Sequence, residues 1–201
     1  MLVEKLALAR RALMFAFGLS FTTFSHAQTA LSGSTDADAN PDPVFVFNRI
    51  CYAQVHDFSA IREMSAKLAW RSMGATDLKA FQSVDNPTAL EGWDVQVGER
   101  LFRVGIQKSG LTDAQKKTFP DFAGGTASTC SIVLDDQQDA AEFMPNMQRL
   151  AGKEPISKDV SEGLLNATTW AGGNDDIKVF LVAKAPPTGN GGLLNVTLLQ
   201  K

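Results

Sequence analysis

The sequence predicts an α+β fold in which a mainly antiparallel β-sheet packs against two helices. It contains segments of alternating apolar residues, two segments with apolar residues three or four positions apart, and Gly, Pro and Asn between them. The elements follow one another as a helix and three strands, and then again as a helix and three strands. This order suggests two αβββ halves, and a duplication predicts that Trp93 and Trp170 occupy equivalent places.

Residues 1–27 have the pattern of a secretory signal peptide. The first eleven residues carry a net charge of +2, residues 12–24 are largely apolar, and Ser25 and Ala27 are the small residues that a signal peptidase recognises. The apolar stretch is shorter than the roughly 20 residues of a membrane span, and Gln28 follows instead of a lipid-accepting cysteine. We expect a bacterial Sec-type signal cleaved after Ala27, and therefore a periplasmic or secreted protein without a membrane span.

The composition excludes several classes of function. A length of 201 residues with 44% hydrophobic and 20% charged residues fits one globular domain. A formal charge of −3 provides no basic field for nucleic acid. Two cysteines and the one histidine that lies beyond the predicted signal are too few for a zinc finger, an iron–sulfur cluster or a haem site. We expect no cofactor, no metal ion and no nucleic-acid partner.

Residues 28–43 are small, polar and acidic, which predicts a disordered lead-in to a single α+β domain over residues 44–201. Asp36, Asp38 and Asn40 match the opening of a calcium-binding loop. The sixth and twelfth positions of that loop require Gly and Glu, and they hold Pro41 and Phe47 here. The mismatch argues against calcium.

The first helix is expected to follow an apolar run at residues 44–47. Asp57 is a suitable N-cap, and Gly74 is the expected C-cap. The face that would pack on the sheet comprises Ile61, Met64 and Leu68.

Three strands are expected to follow, at residues 93–97, 101–106 and 126–134. The segment 107–125 between the last two is long for a hairpin and is a candidate rim or lid. Within it, Thr112 and Gln115 have the spacing of a capping box, which predicts a short helical turn.

The second helix is expected to begin at Asp135 or Asp136 and to end at Gly152, with Pro145 kinking it. Strands at residues 166–170, 177–184 and 193–199 would complete the sheet. The sheet and the helices are expected to meet through Ile61, Leu68, Phe143 and Leu150.

Cys51 and Cys130 are the cysteines of the chain, and both lie beyond the predicted signal. An even number of cysteines in an oxidising compartment favours a structural disulfide. Two buried free thiols are the alternative. A redox pair usually has C-x-x-C spacing, and these residues lie 79 apart.

His56 is the weak candidate for catalysis, because it is the one histidine after the predicted cleavage site. Its neighbour Asp57 is better explained as a helix cap. The sequence contains no G-x-S-x-G, G-x-G-x-x-G or P-loop motif. We therefore identify no catalytic residue.

Trp93 and Trp170 are weak candidates for ligand binding, since large aromatic residues are more often buried in the core. Asn166 and Asn195 each begin an N-x-T sequence, the pattern of a glycosylation site. Both fall in predicted strands of a chain with a bacterial type of signal, so we interpret the matches as chance.

Several short segments together resemble small exported proteins of proteobacteria that have no assigned function. The segments are Phe47 to Cys51, Phe58 with its Ala-containing helix, Gly92-Trp93, Thr129-Cys130-Ser131 and the final Leu-Leu-Asn-Val-Thr-Leu. The resemblance covers most of the mature chain. It implies a periplasmic location and a bridge between the two cysteines, and it transfers no active residue.

We predict a non-enzymatic binding or interaction protein of the periplasm, because export signals are present and catalytic motifs are absent. Its partner would be a small ligand or an envelope protein. The alternative is a small hydrolase that uses His56 with a nearby carboxylate or hydroxyl, and replacing His56 with Ala would inactivate it.

The export prediction can be checked by intact mass spectrometry of protein purified from its own cell envelope without reductant. We expect a chain that begins at Gln28 and is two hydrogens lighter than the reduced form, because a Cys51–Cys130 bridge removes two thiol hydrogens. A full-length chain with two free thiols would contradict both the cleavage and the bridge.

Overall fold

The computed structural model describes residues 41–201, apart from the side chains of residues 135–142. The predicted signal peptide and residues 28–40 of the predicted lead-in lie outside the described residues. The strands are β1 (Arg71–Ser72), β2 (Ala89–Val97), β3 (Arg100–Gly110), β4 (Thr126–Asp139), β5 (Ser157–Glu162), β6 (Leu165–Gly173), β7 (Ile177–Ala185) and β8 (Asn190–Gln200). The helices are α1 (Pro43–Phe47), α2 (Phe58–Lys67), α3 (Ala75–Leu78), α4 (Asp113–Thr118) and α5 (Ala140–Ala151).

All eight strands form one antiparallel sheet in the order β1-β2-β3-β4-β8-β7-β6-β5. The strands β1 to β4 form one meander and β5 to β8 form another. The two meanders join where β4 pairs with β8 in the middle of the sheet, with Ser131 opposite Asn195. The mainly antiparallel sheet is confirmed. The prediction of two helices is wrong, because the structure has several shorter helices.

The core lies between α1, α2 and α5 and one face of the sheet. Alternate strand residues point to this face, because side chains along a strand alternate between its two sides. Phe102, Ile106 and Ile132 from the strands are fully buried there, and so are Phe47, Ile61, Phe143 and Met147 from the helical segments. This burial of apolar area is the main stabilising term of the fold.

A disulfide between Cys51 and Cys130 crosses the core, with 5.2 Å between the two Cα atoms. Cys51 lies in a π-helical turn that follows α1, and Cys130 lies in β4. Both residues are fully buried. The predicted pairing is therefore confirmed, and it ties the first helical segment to a central strand.

Asp42 joins the start of α1 to α5. One carboxylate oxygen accepts a hydrogen bond from the Val44 amide at 3.0 Å, and the other accepts one from Asn146 Nδ2 at 2.6 Å. Burial raises the pKa of the Asp42 carboxyl above its usual value, and the two hydrogen bonds lower that pKa. The helix begins at Pro43, where a proline ring fits the first turn.

Several predicted helix details are confirmed. Asp57 caps α2 by accepting a hydrogen bond from the Ser59 amide, Thr112 and Gln115 form a capping box at α4, and α5 ends just before Gly152. Gly152 has a φ of +65°, which a glycine adopts without steric cost.

Three other helix details are wrong. Leu68 does not pack on the sheet but is 58% exposed, because α2 ends at Lys67 and the chain turns away at Ala69 with a φ of +51°. Gly74 does not cap α2 and instead precedes α3. Asp135 and Asp136 do not begin α5, because β4 continues to Asp139.

The predicted strands are present, and two strands were missed. Both missed strands, β1 and β5, form the outer edges of the sheet. The first has two residues, and the second is largely exposed and carries a register shift between Ser157 and Val160. Neither has the apolar alternation by which a half-buried strand is predicted.

We predict that reducing the disulfide lowers the free energy of unfolding by about 4–5 kcal/mol, because the unfolded chain gains the freedom of an opened loop of this length. Urea unfolding with and without reductant measures the difference. A double variant, Cys51→Ala with Cys130→Ala, is the control and is expected to be insensitive to reductant. Equal unfolding midpoints for the oxidised and reduced wild-type protein would contradict the prediction.

Candidate functional site

A groove of about 420 Å³ lies on the sheet face opposite α1, α2 and α5. Its floor is formed by β3, β4, β8, β7 and β6, and its walls come from residues 80–84, the start of α4 and the end of β5. The volume falls within the range of small-ligand sites. The polar side chains of its floor are uncharged apart from one lysine, and the uncharged ones are Gln107, Ser109, Thr129, Ser131, Thr169, Asn195 and Thr197.

Four of these side chains form a hydrogen-bonded chain at the centre of the sheet. Asn195 Nδ2 donates to Ser131 Oγ at 2.8 Å, and Thr197 Oγ1 donates to Asn195 Oδ1 at 3.2 Å. The Thr129 and Thr197 hydroxyl oxygens lie 3.1 Å apart. Since the Thr197 hydrogen is directed to Asn195, Thr129 donates to Thr197. The chain therefore runs in one direction and ends at the Ser131 hydroxyl.

Two buried hydroxyl groups of the floor keep unused hydrogen-bonding capacity toward the groove. Ser131 is 6% exposed and accepts a hydrogen bond, but within residues 41–201 its own hydrogen has no acceptor. Ser109 is 4% exposed, and its hydroxyl has no hydrogen-bond partner in that part of the chain. Buried polar groups are nearly always hydrogen-bonded. These two hydroxyls can therefore bond water or a ligand inside the groove.

The first wall, residues 80–84, packs closely on the floor because Gly105 has no side chain. The ring of Phe81 lies over Gly105, and a Cβ atom at that position would be 2.2 Å from the ring. Next to it, the Ser83 amide donates to Gln107 Oε1, and Gln107 Nε2 donates to Ser83 Oγ, each at 2.8 Å. The missing side chain of Gly105 and the two hydrogen bonds between Ser83 and Gln107 together fix residues 81–83 beside the groove.

The second wall is the start of α4, where Thr112 and Gln115 line the groove. The Thr112 amide donates to Gln115 Oε1 at 2.8 Å, and the Gln115 amide donates to Thr112 Oγ1 at 3.2 Å. Behind α4, a small second core contains Leu111, Phe122, Ala127 and Leu199. Thr112 and Gln115 of the predicted rim or lid segment 107–125 thus lie at a wall of the groove, whereas residues 107–110 of that segment continue β3.

The charged residues that line the groove are Lys184 and Glu162, and they pair with each other. The Lys184 ammonium lies 2.6 Å from a Glu162 carboxylate oxygen at the rim. Their opposite charges cancel. The groove as a whole therefore presents neutral hydroxyl and amide groups.

The sequence-predicted site residues lie elsewhere. Trp93 and Trp170 are buried in the core on the other face of the sheet, 6% and 1% exposed. The Trp170 ring nitrogen donates to Gln148 Oε1 at 3.0 Å.

His56 is exposed in the turn before α2 and does not line the groove. Hydrogen bonds from the Ser59 hydroxyl and amide to Asp57, together with the charge of His56, lower the pKa of the Asp57 carboxyl. That carboxylate is thus occupied as the cap of α2. The hydrolase alternative stays a prediction.

The groove residues of β4 and β8 were missed because these strands were recognised only by their apolar sides. Gln107 and Ser109 were missed because β3 was predicted to end at residue 106, whereas it continues to Gly110. Gln107 and Ser109, Thr129 and Ser131, and Asn195 and Thr197 are each two positions apart. This spacing places each pair on one side of its strand. Polar residues recurring on one side of three strands were the available signal, but that pattern is also typical of a face in contact with solvent.

A second, open groove of about 400 Å³ lies near β1 and is lined by Leu68, Ala69, Trp70, Arg71, Asp94, Gln96 and Leu101. Arg71 pairs there with Asp94.

No protein-family model, curated protein or solved structure matches this chain. In residues 41–201, no helix is both long enough and apolar enough to cross a bilayer. The same part of the chain brings together no group of three or more His, Cys, Asp and Glu side chains that would suit a metal ion.

We predict that Gly105→Ala lowers the free energy of unfolding by about 1–3 kcal/mol, because the new methyl group would overlap the Phe81 ring. Urea unfolding measures the change. Gly110→Ala is the matched control in the same strand, since a Cβ atom there meets nothing within 4 Å. Equal effects of the two substitutions would show that Phe81 does not depend on the glycine.

Proposed function

We propose that this chain is an exported, non-enzymatic binding protein of the bacterial periplasm or exterior, which holds a small polar ligand in the groove on its sheet face. The observation that carries the proposal is the pair of buried hydroxyls, Ser109 and Ser131, with hydrogen-bonding capacity left toward a groove of about 420 Å³. A polar ligand that offers matching hydrogen bonds can bond these hydroxyls in place of water.

Two observations support export. Residues 1–27 have the order of charged, apolar and small residues that a signal peptidase recognises. The Cys51–Cys130 disulfide is of a kind that persists in oxidising compartments.

The chemistry of the groove supports binding over catalysis. General acid–base chemistry requires a group that gains and loses a proton near the working pH. The titratable residues that line this groove are Lys184 and Glu162, and they form an ion pair with each other at its rim. Hydroxyl and amide groups fix the orientation of a polar ligand without transferring its protons.

We also propose that the two meanders are repeats. Trp93 lies opposite Val104 in the row that continues to Ile132, as Trp170 lies opposite Leu181 in the row that continues to Val196. A two-fold rotation about the Ser131–Asn195 pair exchanges the two rows. A crystal structure in which this rotation fails to superpose the two tryptophans would contradict the duplication.

The proposed function is tested by native mass spectrometry of the protein purified from its own envelope. We expect an additional mass of a small molecule on the wild-type protein. Thr129→Trp should abolish it, because the indole would occupy the centre of the groove. Thr118→Trp is the control, on an exposed position of α4 that does not line the groove.

Near-ultraviolet circular dichroism establishes that both variants are folded. A bound molecule retained by a folded Thr129→Trp variant would place the ligand elsewhere. A wild-type protein that carries no ligand, and acquires none from an extract of small envelope molecules, would refute the binding function.

A further inference from the structure

We propose that the ligand is an uncharged polyhydroxylated molecule of the size of a mono- or disaccharide. This inference rests on the proposed function of the same groove and names the chemical class that fits it. Three properties of the lining support it: its neutrality, the kinds of hydrogen bond that it offers, and the apolar patches between its polar groups.

Neutrality argues against a charged ligand. Moving a charge out of water is costly unless a partner of opposite charge compensates it. The lining residues with charges, Lys184 and Glu162, already compensate each other at 2.6 Å. A carboxylate or ammonium group of a ligand would have to break this pair or remain unpaired. A neutral ligand does neither.

The floor offers both donors and acceptors at short intervals. The Ser131 hydroxyl ends the hydrogen-bonded chain with a hydrogen to donate, and the Ser109 hydroxyl can both donate and accept. The second hydrogen of Asn195 Nδ2 is a further donor, while Thr129 has lone pairs to accept. A ligand that matches this set must itself donate and accept at neighbouring atoms, as adjacent hydroxyl groups do.

The spacing of the floor suits a ring that carries several hydroxyl groups. Neighbouring strands lie about 5 Å apart, and side chains on the same side of a strand recur about every 7 Å. The polar groups therefore form a grid comparable in size to one sugar ring. Apolar lining residues, Phe81, Val182 and Leu193 among them, adjoin this grid and can contact the C–H faces of such a ring.

The class of ligand is tested by isothermal titration calorimetry with two sets of probes. The neutral set is glucose, N-acetylglucosamine, maltose and trehalose. The charged set is glucuronate and glucosamine, which keep the pyranose ring of glucose but carry one negative or one positive charge. We expect at least one neutral saccharide to bind and both charged probes to bind at least about tenfold more weakly, because their charges are left uncompensated.

Substitutions then place the bound saccharide in the groove. Ser131→Ala and Ser109→Ala should each weaken binding by about 2- to 10-fold, the effect of losing one hydrogen bond. Ser128→Ala is the matched control, because it lies on β4 three positions from Ser131 and therefore on the opposite side of the sheet. Affinity equal in the Ser131→Ala, Ser109→Ala and Ser128→Ala variants would overturn the proposal.

The ion pair provides a second test that does not depend on the floor. Glu162→Gln leaves Lys184 without its partner, so the ratio of glucuronate to glucose affinity should rise several-fold. Lys184→Met should raise the corresponding ratio for glucosamine. Unchanged ratios in both variants would show that the pair does not set the neutrality of the site.

Failure of this inference and failure of the proposed function give different results. If glucuronate or glucosamine binds more tightly than the neutral saccharides, the ligand class is wrong and the groove still binds a polar ligand. The ligand class is also wrong, and the groove still binds a ligand, if no saccharide binds but the envelope-purified protein carries another molecule whose binding Thr129→Trp abolishes. If the groove binds neither a saccharide nor any envelope molecule, both proposals are wrong.

Discussion

The antiparallel pairing of β4 with β8 is the interaction on which the rest of the structure depends. It is the place where the two meanders join, and it lies at the middle of the sheet. Cys130 in β4 points to the core and bonds Cys51, while Thr129 and Ser131 on either side of it point to the groove. A shift of one residue in this register would exchange the two sets. The register of β4 with β8 therefore determines the core, the disulfide and the groove together.

The two faces of the sheet are stabilised by different interactions. On the helix side, apolar side chains are buried, and the disulfide fixes a helical turn against the central strand. On the groove side, polar side chains are buried or half-buried, and the hydrogen-bonded chain from Thr129 to Ser131 offsets part of the cost of removing them from water. The remaining unpaired capacity of Ser109 and Ser131 is what distinguishes the groove from an inert polar surface.

Features fixed by local chemistry could be predicted from the sequence. Alternating apolar residues gave the positions of six strands, and the capping residues Asp57 and Thr112 gave two helix starts. Features that depend on distant contacts could not be predicted. The edge strands are defined by backbone pairing without apolar alternation, Leu68 is turned outward by the backbone at Ala69, and the continuation of β4 to Asp139 follows its pairing with β8. The groove arises when side chains from separate strands meet, so its residues carry no common motif in the sequence.

The irregular edges of the sheet have a consequence for how copies of this protein behave when they are crowded. A long, straight outer strand invites another chain to add to it, which is a common route to aggregates rich in β-structure. Here β1 has two residues, and β5 is bent by a register shift and by Asp159, whose φ is +51°. Charged side chains, Arg71 at one edge and Lys158 at the other, oppose the approach of a second copy. Strand addition is thereby disfavoured at β1 and β5 themselves, although extended backbone dominates the fold.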